Sequence, residues 1–143
     1  MREIHPDFHY YLDLKTASQR ELFKDVREYV LSFYLDANEL LYHTHALTSV
    51  FSISERLSDA YIMLPMYKEH MNLGFNKGTL LPDPSKLLTG TGKLIRHIPI
   101  SDPADYRNPE VAKLIKASID FAINDMEKPA KKIGETISNI KRF

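Results

Sequence analysis

Five side chains able to hold an anion gather in one stretch of the chain: His70, Lys77, Lys93, Arg96 and His97, with the amide of Asn72 among them. Glycines and prolines punctuate the same stretch and force turns. Lys77 follows one predicted strand. Lys93, Arg96 and His97 open another. If those two strand ends adjoin, three permanent cations and one titratable imidazole converge beside the free N–H groups of glycine turns. A phosphate, a carboxylate or the edge of a polyanion suits such a corner. The competing reading leaves these groups as solvated strand-end charges, or pairs Arg96 with Asp83. The expected ligand-binding set is Lys77, Lys93, Arg96, His97, His70 and Asn72.

Other chemistries find weaker footing. Thr89-Gly90-Thr91-Gly92-Lys93 has the look of a phosphate loop, but the motif needs glycine where Leu87 stands and Ser or Thr where Leu94 stands. The turn also leads into a strand rather than a helix. His43 and His45 alternate on one predicted strand face, a geometry fit for two ligands of zinc or Fe(II). A third ligand must come from afar, from His70, His97 or an acid, and no HExxH pattern supplies it. Histidines ending an apolar strand face more often serve as hydrogen-bonded core-edge residues. No G-x-S-x-G elbow occurs, no acid sits within an apolar run that would raise its pKa, and no catalytic residue is expected. The chain reads as non-enzymatic.

The totals narrow the class. A chain of 143 residues makes one domain with a self-sufficient core. Its 19 basic side chains balance 19 acidic ones, which disfavours a sequence-independent grip on nucleic acid. Without cysteine there is no disulfide, thiol nucleophile or thiolate metal site. No segment has the length of apolar residues that a membrane span requires, and the opening residues lack a signal-peptide core. The expectation is a soluble, cytoplasmic protein whose partner is a small anionic ligand or another protein. A homodimer is compatible with this composition.

The elements that must position these groups follow from periodicity. Residues 1–15 read as an aromatic-rich loop lying on the core. Ser18 and Glu21 suggest a capping box, opening an amphipathic helix over residues 16–36 with Leu22, Phe23, Val26, Tyr29, Val30, Phe33 and Tyr34 on its apolar side. Tyr42 to Ile53 alternates as one strand, Ala60 to Tyr67 as a covered central strand, and His70 to Phe75 as its antiparallel neighbour. Asp83-Pro84 predicts a short helix through Leu88, followed by a strand over Lys93 to Ile100. Asn108-Pro109-Glu110 starts a long helix reaching about residue 126. The tail carries Ile133, Ile137 and Ile140 in a thin helical stripe. These elements bury their stripes most simply as a two-layer α+β sandwich, an antiparallel sheet of four to six strands with helices on one face. The domain spans 1–127, with 128–143 a basic C-terminal helical extension.

The run N-x-G-F-x-x-G (Asn72, Gly74, Phe75, Gly78), then L-x-D (Leu81, Asp83), then L-x-G-x-G-K-x-x-R (Leu88, Gly90, Gly92, Lys93, Arg96) resembles the YdhG-like family of small bacterial domains. The resemblance covers roughly residues 20–125. It implies a compact domain with a curved antiparallel sheet, similar in fold to frataxin and to YjbR-type proteins, the latter sometimes called DNA-binding. Frataxin-like relatives imply a second function, an iron chaperone using acids of the first helix. Glu21, Asp25 and Glu28 are the matching positions here, with His43 and His45 as alternative ligands and iron as the cofactor. Arg20, Lys24 and Arg27 interleave with those acids, the pattern of a salt-bridge-laced helix. The primary expectation is therefore a binding domain without a cofactor.

Overall fold

The computed structural model describes residues 2–141. The first helix, α1 (Pro6–Leu12), lies where the sequence reads as a loop. Pro6 presets its first turn, and His5 Nδ1 accepts a hydrogen bond from the Asp7 N–H at 3.0 Å. Phe8 of α1 stacks on Phe23 of α2 (Ala17–Ser32), with ring centroids 4.7 Å apart. The cap of α2 is Thr16, whose Oγ1 accepts from the Gln19 N–H at 3.3 Å. The capping box expected at Ser18 and Glu21 is thus displaced by two residues. The helix also ends before residue 36, leaving Leu35 exposed.

The single strand expected over residues 42–53 is a hairpin. Its strands are β1 (Asn38–His43) and β2 (Leu47–Ser52), in register from His43↔Leu47 to Asn38↔Ser52. The turn, Thr44 to Ala46, contains no glycine, proline or asparagine, so the chain reverses without the usual local signal. Next come β3 (Ala60–Met66) and β4 (Met71–Phe75), antiparallel as expected. Between β2 and β3 the register slips: Phe51 faces Ile62 but Ser52 faces Ala60. Tyr61 is the extra residue of this bulge, and it joins Ile62 in the main core.

No helix forms over 83–88. The Asp83 carboxylate accepts from the N–H groups of Leu87 and Leu88, both at 2.9 Å, and so closes a turn. Lys86 sits at φ 54°, which ends any helical run. The following strand, β5 (Arg96–Ile100), is shorter than expected. Its outer edge is blunted by a two-way backbone bridge between His97 and Thr89 and by Pro99, which has no N–H to offer. The long helix α3 (Pro109–Asp125) begins as predicted, with Asn108 Oδ1 accepting from the Val111 N–H at 2.9 Å.

The tail corrects a further expectation. In place of a helical extension it forms β6 (Thr136–Ser138), parallel to β1. Pro129 and Gly134, the latter at φ 69°, interrupt any helix. Two backbone bonds at 2.8 Å, Glu39 N–H to Glu135 O and Asn139 N–H to Leu41 O, then tie the tail to β1. Asn38 assists from a buried position: its amide donates to Lys132 O and accepts from the Glu135 N–H. The result is a six-stranded sheet of order β5-β4-β3-β2-β1-β6. It is antiparallel except at the β1–β6 seam.

The helices cover one face, making a two-layer α+β sandwich. Leu41, Leu47, Phe51, Ile62, Leu64, Leu73 and Ile98 meet Phe23, Val26, Val30, Leu114, Ile115 and Ile119 in one core. The opposite face carries a smaller cluster of Leu40, Val50 and Ala60, flanked by Tyr42, Met63 and Ile137.

Candidate functional site

The two glycine turns do adjoin. Phe75 pairs with Arg96 across β4 and β5, and Gly78 lies so close to Arg96 that an added Cβ would stand 2.5 Å from the Arg96 Cβ. The short 3-10 turn Gly78–Leu80 is tied to the loop before β5 by Thr79 N–H to Leu94 O at 3.0 Å. Thr79 Oγ1 also donates to Lys93 O at 2.9 Å. Gly90 holds φ 133°, a backbone reserved for glycine. Its missing side chain leaves room for Arg96 and for His97 Nδ1, which stands 3.5 Å from where a Cβ would be.

The corner gathers fewer groups than the sequence suggests. Lys93, Arg96 and His97 are in it. Arg96 folds over its own loop, donating through Nη1 to Gly92 O at 2.5 Å and Ile95 O at 2.8 Å. Lys77 is drawn away: its ammonium meets Asp125 Oδ2 at 2.6 Å and lies 5.7 Å from the Phe121 ring. The helix end that attracts it is distant in sequence, so strand-end spacing could not reveal this. His70 sits before β4 while Lys77 follows it, which separates them by roughly 20 Å of extended chain. There His70 stacks on Tyr67 at 4.6 Å. Asn72 faces Pro99 on the sheet face without helices. The Arg96–Asp83 pair does not form, because Asp83 is bound to the backbone of its own turn.

The metal alternatives are also dispersed. His43 ends β1 with its ring 4.1 Å from Tyr11, whereas His45 lies exposed in the hairpin turn. The hairpin removes the shared strand face that would have made them a ligand pair. Asp25 is engaged elsewhere: Arg107 grips both its oxygens, Nε and Nη2 each at 3.0 Å, and the buried Tyr106 hydroxyl donates to the same carboxylate. The Arg107 hydrogen bonds hold Asp25 below the usual carboxylate range, against an opposing push from burial. Tyr106 is raised in turn, by burial first and by Asp25 second. Glu21 faces Lys24 at 3.9 Å, and Glu28 lines a separate cleft. Among the described residues no group of three or more His, Asp or Glu could hold a metal ion.

Sequence reasoning missed three features. The first is a buried ion pair: Arg27 Nε and Nη2 meet the two oxygens of Glu39, each at 2.8 Å, and Ser49 Oγ donates to the same carboxylate. The second is a pair of open clefts. One of about 430 Å³ lies beside Arg2, Glu28, Leu31 and Leu35. Another of about 360 Å³ lies among Arg56, Asp59, Lys77, Asp125 and Glu127, with charges largely paired off. Neither includes Lys93, Arg96 or His97. The third is a group of exposed aliphatic side chains, Leu80, Leu94 and Ile95, beside the basic corner. The expected strand from residue 93 would have assigned Leu94 and Ile95 to the sheet. Tyr61 is buried with its hydroxyl unpaired, and burial pushes its ionisation far above the ordinary phenol value, so it cannot serve as a base at neutral pH.

No helix among the described residues is long and apolar enough to cross a membrane. No protein-family model, curated protein or solved structure matches the chain.

Proposed function

We propose that this chain is a non-enzymatic binding domain whose corner, Lys93, Arg96 and His97, accepts an anionic group carried by a partner. One observation carries the reading. Gly78 packs directly on Arg96, which brings both glycine turns to one corner. Among the described residues neither Lys93 nor Arg96 has a carboxylate partner. Arg96 is already held in place by two backbone carbonyls, so little side-chain freedom is lost when it meets an anion. Membership of the YdhG-like family belongs to the same proposal. Its support is that Gly78, Asp83 and Gly90 of the quoted run all serve to shape this corner.

Thermal unfolding in the presence of phosphate, citrate and an octaglutamate peptide tests the proposal. Whatever binds the folded state raises Tm by mass action. At least one anion should stabilise the protein, and Lys93→Ala/Arg96→Ala should abolish the gain. Full stabilisation of that double variant would move the site elsewhere; no stabilisation of the parent by any of the three would remove the reading.

A further inference from the structure

Residues 79–95 form a lobe in which no residue is buried, although it carries six leucines and isoleucines. Leu81, Leu87 and Leu88 fold back against the core. Leu80, Leu94 and Ile95 do not, and are 53%, 45% and 47% exposed. The segments that carry these three are bonded to each other through Thr79. The lobe is therefore a preformed tip.

Its charge is one-sided. Residues 76–100 contain Lys77, Lys86, Lys93 and Arg96 against a single acid, Asp83. Asp83 spends its oxygens on the backbone of Leu87 and Leu88, and Lys77 is neutralised by Asp125. Lys93 and Arg96, which flank Leu94 and Ile95 in the chain, are left without a carboxylate partner among the described residues. Residues 76–100 thus carry net positive charge, as do residues 128–143, with Lys128, Lys131, Lys132, Lys141 and Arg142 against Glu135.

We propose that this lobe docks on an anionic lipid surface, with Leu80, Leu94 and Ile95 entering the headgroup–acyl boundary and Lys93 and Arg96 facing the phosphates. The inference rests on the anion-accepting reading of Lys93 and Arg96 and names the partner of that corner. The size of the patch favours lipid over protein. A stable protein interface takes about 800 Å² from each partner, usually with aromatic anchors seated in pockets. Three half-exposed aliphatic side chains offer far less, and the small cleft of about 120 Å³ beside the lobe, lined by Pro82, Asp83, Leu87, Glu110 and Leu114 among others, does not include them. A bilayer asks for no complementary shape, only a few apolar side chains and nearby cations.

The test is co-sedimentation of the full chain with vesicles of phosphatidylcholine alone or mixed equally with phosphatidylglycerol. Pelleting is expected with the mixed vesicles only, declining as salt rises. Lys93→Gln/Arg96→Gln should weaken it by about fivefold for each charge removed. Leu94→Ser/Ile95→Ser should weaken it without changing the charge, and circular dichroism would check that both variants keep the fold. Absence of pelleting at low salt overturns the inference, as does a serine variant that pellets like the parent. Octaglutamate binding, measured alongside by calorimetry, separates the two readings. Peptide binding that is lost in Lys93→Gln/Arg96→Gln, without vesicle binding, leaves the anion corner standing and removes the lipid. Failure of vesicle binding, together with no response to phosphate, citrate or octaglutamate, removes both.

Discussion

Replacing Arg27 by methionine should be among the most damaging single changes available to this fold. The guanidinium bridges α2 to β1 through Glu39, with side chains 5% and 2% exposed. It also donates to the carbonyls of Arg2 and Glu3, at 2.9 and 3.1 Å. Methionine fills much of the volume but supplies no donor. Glu39 would keep only the Ser49 hydroxyl, and the Arg2 and Glu3 carbonyls would lose their partner. Orphaning one member of a buried pair costs about 3–5 kcal/mol, a large share of the roughly 5–15 kcal/mol that holds a domain together. Removing both charges is a different matter. Arg27→Met/Glu39→Leu leaves the same two carbonyls without a donor but no longer a buried ion, and adds only the Ser49 hydroxyl, unsatisfied at about 1–3 kcal/mol. The double variant should therefore be more stable than the Arg27→Met single. Urea unfolding at neutral pH, with the m-value checked for constancy, gives the full double-mutant cycle. A single-variant loss under about 1 kcal/mol, or a coupling below about 0.5 kcal/mol between the two changes, would refute this account of the pair.

Three further outcomes are expected. Gly78→Ala should lower stability by about 1–3 kcal/mol, because its Cβ would overlap Arg96. Gly92→Ala, whose Cβ would meet nothing closer than 3.7 Å, should change Tm little by comparison. Ile140→Ala should cost about 2–4 kcal/mol because this side chain is buried, whereas Ile133→Ala at an exposed site should cost under about 0.5 kcal/mol; equal losses would revive the helical-stripe reading of the tail. Asp25 is held low by Arg107, so its contribution is present above the ordinary carboxylate pKa and is lost as pH falls through the depressed folded value. Urea titrations from neutral pH to below pH 3 should accordingly show the gap between wild type and Asp25→Asn closing below about pH 4. The site is partly exposed, which keeps that gap under about 1 kcal/mol. A gap that widens on acidification would contradict the assignment.

What could be read from the sequence was whatever local pattern decides. The apolar spacing of α2, the Asn108-Pro109 start of α3 and the antiparallel pairing forced by a short link between β3 and β4 are all local, and the structure contains each of them, with the link four residues long rather than two. Adjacency of the glycine turns was also legible, because strand ends joined by antiparallel pairing must meet. The failures depend on partners far along the chain. Thr44 to Ala46 continue a period-2 pattern, and only the pairing of Leu47 with His43 turns them into a hairpin. Ile137 and Ile140 stand three apart, as a helix would have them, but the open edge of β1 outbids a short helix interrupted at Gly134. Lys77 could not be followed to Asp125, because nothing near it in sequence marks the end of α3 as its destination.

Pairing β1 with the tail has a consequence for the order of synthesis. Asn38 and Glu135 are separated by 97 positions, so this margin of the sheet stays unzipped until residues 136–138 have been translated. Until then β1 offers bare backbone, and Asn38 lacks the carbonyl and amide that will satisfy it. Premature release just short of residue 136 would leave β1 with a sticky border, prone to recruit a strand from another molecule. Residues 136–138 therefore act as a clasp that closes β1 against other strands.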